Sequence, residues 1–441
     1  MDWRFRTAAE QGRAIAAGKL DPVEQAEAYL AAASTGEGGR IYARLTPARA
    51  RAEAMAARSR ARAGQSRGAL DGVALSWKDL FDSAGVATEA GSRLLAGRVP
   101  DRDAAVLREA TLHGAVCLGK THMTELAFSG LGVNPMTATP PNVHDPRLAP
   151  GGSSSGAAAS VAMGLAAAAV GSDTGGSVRI PAAWNDLVGF KPGQGRVSTE
   201  GVVPLCRRFD SVGPLARSVE DCALVLGAIT GRAAPLDLRG ADLRGARLLV
   251  LEGLAFEGAR AAPVRGFEDA VDRLARAGAA VERRALPMVS PAMDLSPILF
   301  APEAYGLWKD VIEAAPARMY PLILERFRGG AGVSAADYVA GWDRLERFRA
   351  DYLSASAEYD AVLVPTAPIQ PPDAARLLSD PEYFATENLL ALRNTRIGNI
   401  LGLCALTLPT GLPATGISFM APAGDEDRLL RLGMAAEAAL G

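Results

Sequence analysis

The chain has 441 residues, 49% of them apolar, and a formal net charge of −2. That length and apolar content support a sizeable buried core, and the near-zero charge leaves no basic footprint for nucleic acid. The four cysteines (Cys117, Cys206, Cys222 and Cys404) form no CxxC pair. They read as reduced, buried thiols of a cytoplasmic protein.

The first residues, Met1 to Arg6, show no apolar stretch of a secretory leader. Residues 1–65 read as a helical segment packed on the core, and residues 66–441 as the main domain. Asp21-Pro22 has the form of an N-cap followed by proline at the first helical position. Val73 to Trp77 is a short apolar run with strand character that ends at Lys78. Ala104–His113 suits a helix and Ala115–Leu118 a buried strand. Residues 134–150 contain five prolines and no periodicity, so an ordered loop or a surface excursion is expected. Gly156–Gly164 suits a close-packed helix and Ala166–Val170 a buried strand. The Ala157–Val170 run is too short to span a bilayer, so no membrane contact is expected. Further strands are expected at Arg247–Leu251 and Ala361–Pro365. Helices are expected from Arg217 or Ser218 to Ile229, at Val264–Ala277, and at Asp425–Leu440. Strands alternating with helices predict an α/β architecture with a mixed or parallel sheet.

Two motifs mislead. Gly114 to Thr121 spells a P-loop, but its four intervening residues are apolar and read as the strand itself. Gly152-Ser153-Ser154-Ser155-Gly156 spells a nucleophile elbow. That chemistry requires a later histidine, and His113, His122 and His144 all precede it. The same histidines lack metal-ligand spacing, so no metal is expected.

A serine nucleophile without histidine needs another proton acceptor, a relay if that acceptor is remote, and donors for an oxyanion. Gly175-Gly176-Ser177 can turn backbone N–H groups toward a carbonyl, and Pro181 places a helix start just after Ser177. The chain has only five lysines (Lys19, Lys78, Lys120, Lys191 and Lys309). Unlike arginine, a desolvated lysine can lose its proton. Lys78 has the apolar flanks for this, with Asp79 or Asp82 able to oppose it. A salt-bridged lysine at a strand end is the plainer reading of the same residue.

From about Leu70 to Ile229 the chain resembles the amidase signature family of serine hydrolases. The resemblance rests on Gly151 to Gly156, on Gly171 to Ala182, on Val188 to Pro192, and on Asp210 to Pro214. It implies a single large α/β/α domain around a central mixed sheet. It also implies a Ser–cis-Ser–Lys triad and no metal or organic cofactor. On this basis Ser177 is the acylated nucleophile, Ser153 the relay with a cis peptide bond, and Lys78 the base. The backbone amides of Thr174, Gly175, Gly176 and Ser177 are the oxyanion hole, and Ser154, Asp173 and Arg179 are supporting residues. Ser155, Ala157 and Trp184-Asn185-Asp186 depart from the commoner family phrases without touching the triad.

The expected activity is hydrolysis of a small carboxamide, with residues 120–145 and 290–400 lining the acyl pocket. The alternative is the glutamine-hydrolysing component of an amidotransferase complex, working with partner subunits. Ile180 stands where such components carry glutamine, which favours the stand-alone enzyme. A non-catalytic scaffold is disfavoured by the intact Lys78, Ser153 and Ser177. A homodimer is left open.

Overall fold

The computed structural model describes residues 2–232 and 234–441. Eleven strands form one mixed sheet: β1 Tyr42–Leu45, β2 Ala74–Lys78, β3 Val116–Thr121, β4 Ala168–Asp173, β5 Val188–Lys191, β6 Ser211–Ala216, β7 Arg247–Leu251, β8 Ala280–Arg284, β9 Ala361–Pro365, β10 Cys404–Pro409 and β11 Gly416–Ala421. Their spatial order is β1-β3-β2-β4-β6-β5-β10-β11-β9-β7-β8. The β3-β2-β4 group is parallel, as is the β9-β7-β8 group, and the strands between run antiparallel to their neighbours. Every residue of β2, β3 and β4 is buried. Strands covered on both faces read as continuous rather than alternating runs, which is why Val73–Trp77 and Ala166–Val170 stood out in the sequence.

The N-terminal segment is mostly helical, but not wholly. Tyr42–Leu45 is a strand that pairs antiparallel with β3 and forms one edge of the sheet. Four residues between two helices carry too little local signal, and only the long-range pairing makes them extended. The flanking helices follow their caps. Asp21 accepts from the Val23 N–H at 2.8 Å with Pro22 at the helix start, and Thr7 and Glu10 form a reciprocal capping box. The segment is tied to the body by the Ala9 N–H, which donates to Asp221 at 2.8 Å.

Residues 134–150 form an ordered loop. Asn142 is buried and donates to the carbonyls of Trp184 and Ala149. The P-loop spelling belongs to β3, and Lys120 is buried with its amine 2.8 Å from Thr88 Oγ1 and 3.3 Å from Asp79. No described helix is long and apolar enough to cross a membrane.

Candidate active site

The parallel register brings the carboxyl ends of β2 and β4 together. Leu75, Ser76 and Trp77 pair with Ala168, Ala169 and Val170, so Lys78 ends its strand beside the Gly171-Ser172-Asp173 end of β4. Clefts outside the carboxyl ends of strands are where α/β sheets place their ligands. The loop before the helix Ser155–Ala162 lies over the same place, and its Gly152–Ser153 peptide bond is cis.

Lys78 is fully buried, and its Nζ donates to Ser153 Oγ at 2.7 Å and to Ser172 Oγ at 2.8 Å. No carboxylate forms an ion pair with it among the described residues. Burial pushes the amine down to about 7, with Asp173 and Asp210 working the other way. The sequence pointed to Asp79 or Asp82 as the opposing acids, and the structure corrects this. Asp79 faces Lys120 and Arg44, and Asp82 pairs with Arg98.

Ser177 lies two residues before the helix Arg179–Trp184. Its carbonyl accepts from the Ser154 N–H at 3.3 Å, which holds the two serine loops against each other. Ser154 Oγ donates to the Ser172 carbonyl at 3.2 Å. Gly176 has a φ of +137°, and a Cβ there would stand 2.1 Å from Thr395 Oγ1, so only glycine fits. The Gly176 N–H departs from its expected role as a free oxyanion donor. It already donates to Asp173 at 2.8 Å, because Asp173 sits beneath the turn and gathers its amides. No acceptor takes the N–H of Gly175 or Ser177 among the described residues.

Asp173 also accepts from the Val178 N–H at 3.1 Å, from Arg179 Nε and Nη2 at 3.0 and 2.9 Å, and from Asn399 Nδ2 at 2.8 Å. Burial alone would raise its carboxyl, but Arg179 and Asn399, with Lys191 nearby, hold it far below the usual carboxylate range. Arg179 in turn donates to the Thr395 carbonyl and to Asn399 Oδ1. Thr395 Oγ1 donates to the Gly175 carbonyl at 2.8 Å. The long helix Pro381–Ile400 therefore clamps the turn from Asp173 to Ser177 from outside.

Sequence reading missed Ser172, Asp210, Thr395 and Asn399. Asp210 accepts from Thr174 Oγ1 at 2.5 Å and from the N–H groups of Leu205 and Cys206. Ser172 and Asp210 both lie inside motif blocks, so their signal was present without a role. Thr395 and Asn399 sit on the distant clamping helix and left none.

In front of Ser177 opens a cavity of about 210 Å³. Thr174, Gly175 and Ser177 form its floor, and Phe128, Leu205, Phe300, Leu389 and Leu392 are among its apolar walls. Lys78 and Ser153 are not among the residues that line it. Usual small-molecule pockets hold roughly 300–1,000 Å³, so this one suits a compact ligand.

A protein-family model described as Amidase matches residues 24–430. The chain belongs to the amidase family. Among curated relatives, this amidase-family chain is 36% identical to the 2-amino-5-chloromuconic acid deaminase of Comamonas testosteroni, over 89% of this chain and 87% of that protein. It is 33% identical to a glutamyl-tRNA(Gln) amidotransferase subunit of Chloroflexus aurantiacus, over 95% of this chain and 93% of that protein. A crystal structure of an amidase superposes with a TM-score of 0.87 at 31% identity, over 99% of this chain and all of that one. The single α/β domain with its large mixed sheet is thus the amidase fold, and amidase-type hydrolysis is the activity that family membership supports.

Proposed function

We propose that the chain hydrolyses a small carboxamide to a carboxylate and ammonia or an amine through a Ser177 acyl-enzyme. The observation that carries the reading is the buried Lys78 amine, 2.7 Å from Ser153 Oγ and without a carboxylate partner. Such an amine is neutral in a large fraction of molecules near pH 7 and can accept a proton. Ser177 Oγ forms a bond to the amide carbon as its proton passes to Ser153, whose own proton passes to Lys78. The carbonyl π electrons move to oxygen, facing the free N–H groups of Gly175 and Ser177. When the C–N bond breaks, Lys78 returns its proton through Ser153 to the leaving nitrogen. Water then attacks the ester, the relay runs again, and Ser177 recovers its proton. The balance is amide plus water to carboxylate plus ammonia or amine, and no metal or organic cofactor enters it. Asp173 and Arg179 shape the turn rather than touch the substrate.

A second reading, the glutamine-hydrolysing component of an amidotransferase complex, draws on the similarity to the Chloroflexus protein. Ile180, fully buried beside the nucleophile turn, weighs against it. The test of both is ammonia release from a panel of simple amides and glutamine, with Ser177→Ala as the comparison. A fluorophosphonate probe mapped to Ser177 accompanies it. Ser177-dependent release from simple amides by the chain alone supports the first reading, and glutaminase activity only with partner subunits supports the second.

A further inference from the structure

Two guanidinium groups in the cavity have no counter-ion among the described residues. Arg326, from the helix Pro321–Arg328, and Arg396, from the helix Pro381–Ile400, both line the cavity in front of Ser177. Neither forms an ion pair among the described residues. Among the described residues Arg326 spends only its Nε in hydrogen bonding, donating to the Phe128 carbonyl at 2.8 Å, while its guanidinium carbon lies 4.7 Å from the centre of the Phe128 ring. Its two Nη groups are left as an open fork. Arg396 makes no hydrogen bond through its guanidinium among the described residues, and its Nε lies 3.9 Å from where a Cβ would stand on Gly175. Its neighbour Thr395 grips the Gly175 carbonyl, so the helix fixes Arg396 beside the turn that carries the nucleophile.

Among the described residues no aspartate or glutamate lines the cavity. The nearby acids are committed elsewhere. Glu125 accepts from Ser92 and from the Tyr320 N–H, Glu387 pairs with Arg260, and Asp210 is held beneath Thr174. Burial lowers Arg326 to about 9, with repulsion from Arg396 adding to it, and burial lowers Arg396 to about 10. The two cations therefore oppose each other in a partly apolar chamber. Elsewhere the chain pairs its arginines freely, as in Arg49 with Asp103 or Arg98 with Asp82. Arginine forks match carboxylates in a planar, two-bonded geometry.

We infer that Arg326 and Arg396 form a receptor for a carboxylate of the substrate, so that the amide cleaved here belongs to a short carboxylic acid. This rests on the amidase reading for its catalytic half only; the receptor stands or falls separately. The geometry also disfavours a free α-amino acid such as glutamine. Its ammonium would enter a chamber with two cations and no acid.

The probes are malonamate, succinamate and glutaramate, each beside its methyl ester, which keeps the amide and removes the charge. Binding to the Ser177→Ala chain is measured by calorimetry, and turnover is measured with the unaltered chain. A charge-assisted contact of about 1.5–3 kcal/mol predicts that at least one acid binds about 10- to 100-fold more tightly than its ester. Arg396→Gln and Arg326→Gln in the Ser177→Ala background each remove most of that difference. Succinate and glutarate should also inhibit the unaltered chain competitively and their dimethyl esters should not, an arm that needs no variant. Equal binding of acids and esters, or binding of none of the acids, overturns the receptor, even if neutral amides are turned over. Charge-selective binding without turnover of any amide upholds the receptor and sinks the amidase reading instead.

Discussion

Lys78 and Asp173 end adjacent parallel strands, yet they do not pair. The Lys78 amine goes to two hydroxyls, Ser153 and Ser172, while the Asp173 carboxylate is spent on Arg179, Asn399 and two backbone N–H groups. An acid bound directly to Lys78 would hold it charged. Kept at one remove and saturated by Arg179, Asp173 leaves burial as the dominant influence on the amine.

Asp173→Asn should therefore unfold more easily as well as work less well. It strands the fully buried Arg179 without its counter-charge. Breaking one side of a buried pair costs about 3–5 kcal/mol, which a shift of the denaturation midpoint measures. An unchanged midpoint would show that the ion pair does not hold the turn.

The pH dependence follows from Lys78. In the proposed relay the neutral amine is the active form, so kcat/KM should fall about tenfold per pH unit below about 7 and level off above it. Lys78→Arg keeps the positive charge and cannot shed its proton, so a loss of at least about 100-fold at every pH is expected. A pH–rate profile of the two proteins checks both statements.

Stability carries the same signature. The folded state holds Lys78 with a lowered affinity for protons, whereas the unfolded chain binds one up to its ordinary value of 10.5. Between about 7 and 10.5 the unfolded state therefore binds more protons, and stability rises with pH through this group. Lys78→Met lacks that contribution. Its stability relative to the parent should be most favourable near pH 7 and decline toward pH 10, as paired denaturation curves at several pH values would reveal.

Gly176→Ala should disrupt the turn that carries Ser177, the proposed nucleophile. The added carbon meets Thr395 Oγ1 at 2.1 Å in a backbone conformation that suits glycine. A displacement of about 1 Å at reacting groups can cost about 100-fold, so a loss of at least that size in Ser177 labelling rate is expected. Thr395→Ala in the same chain would not restore it, because the backbone conformation remains.

Much of the candidate site was legible because it is local. Ser153, Ser154, Asp173, Arg179 and Ser177 lie within 27 residues that form one loop, one helix, one strand and one turn. Lys78 was visible as a rare lysine ending an apolar strand. The sheet was legible at β2, β3, β4, β7 and β9, whose apolar runs are nearly unbroken, but not at β5, β6, β10 and β11, where Gly, Pro, Ser or Thr interrupts the run although almost every residue is buried. It was not legible for β1, which depends on pairing with β3, nor for β8, whose residues are mostly exposed. The clamping helix Pro381–Ile400 supplies Thr395, Arg396 and Asn399, more than 200 residues after the turn it grips. Sequence spacing holds no information about that contact. Only packing brings Arg326 and Arg396 to one chamber.

The central claim is that Lys78 gives up its proton near neutrality, and the scarcity of lysine makes this directly measurable. With only five lysines in the chain, ε-carbon-labelled lysine yields few signals, and the one missing in Lys78→Met is Lys78. Its chemical shift, followed by NMR from about pH 5 to 11, should titrate with a midpoint of about 7. A midpoint near the ordinary 10.5 would contradict the account, because the relay would then have no base.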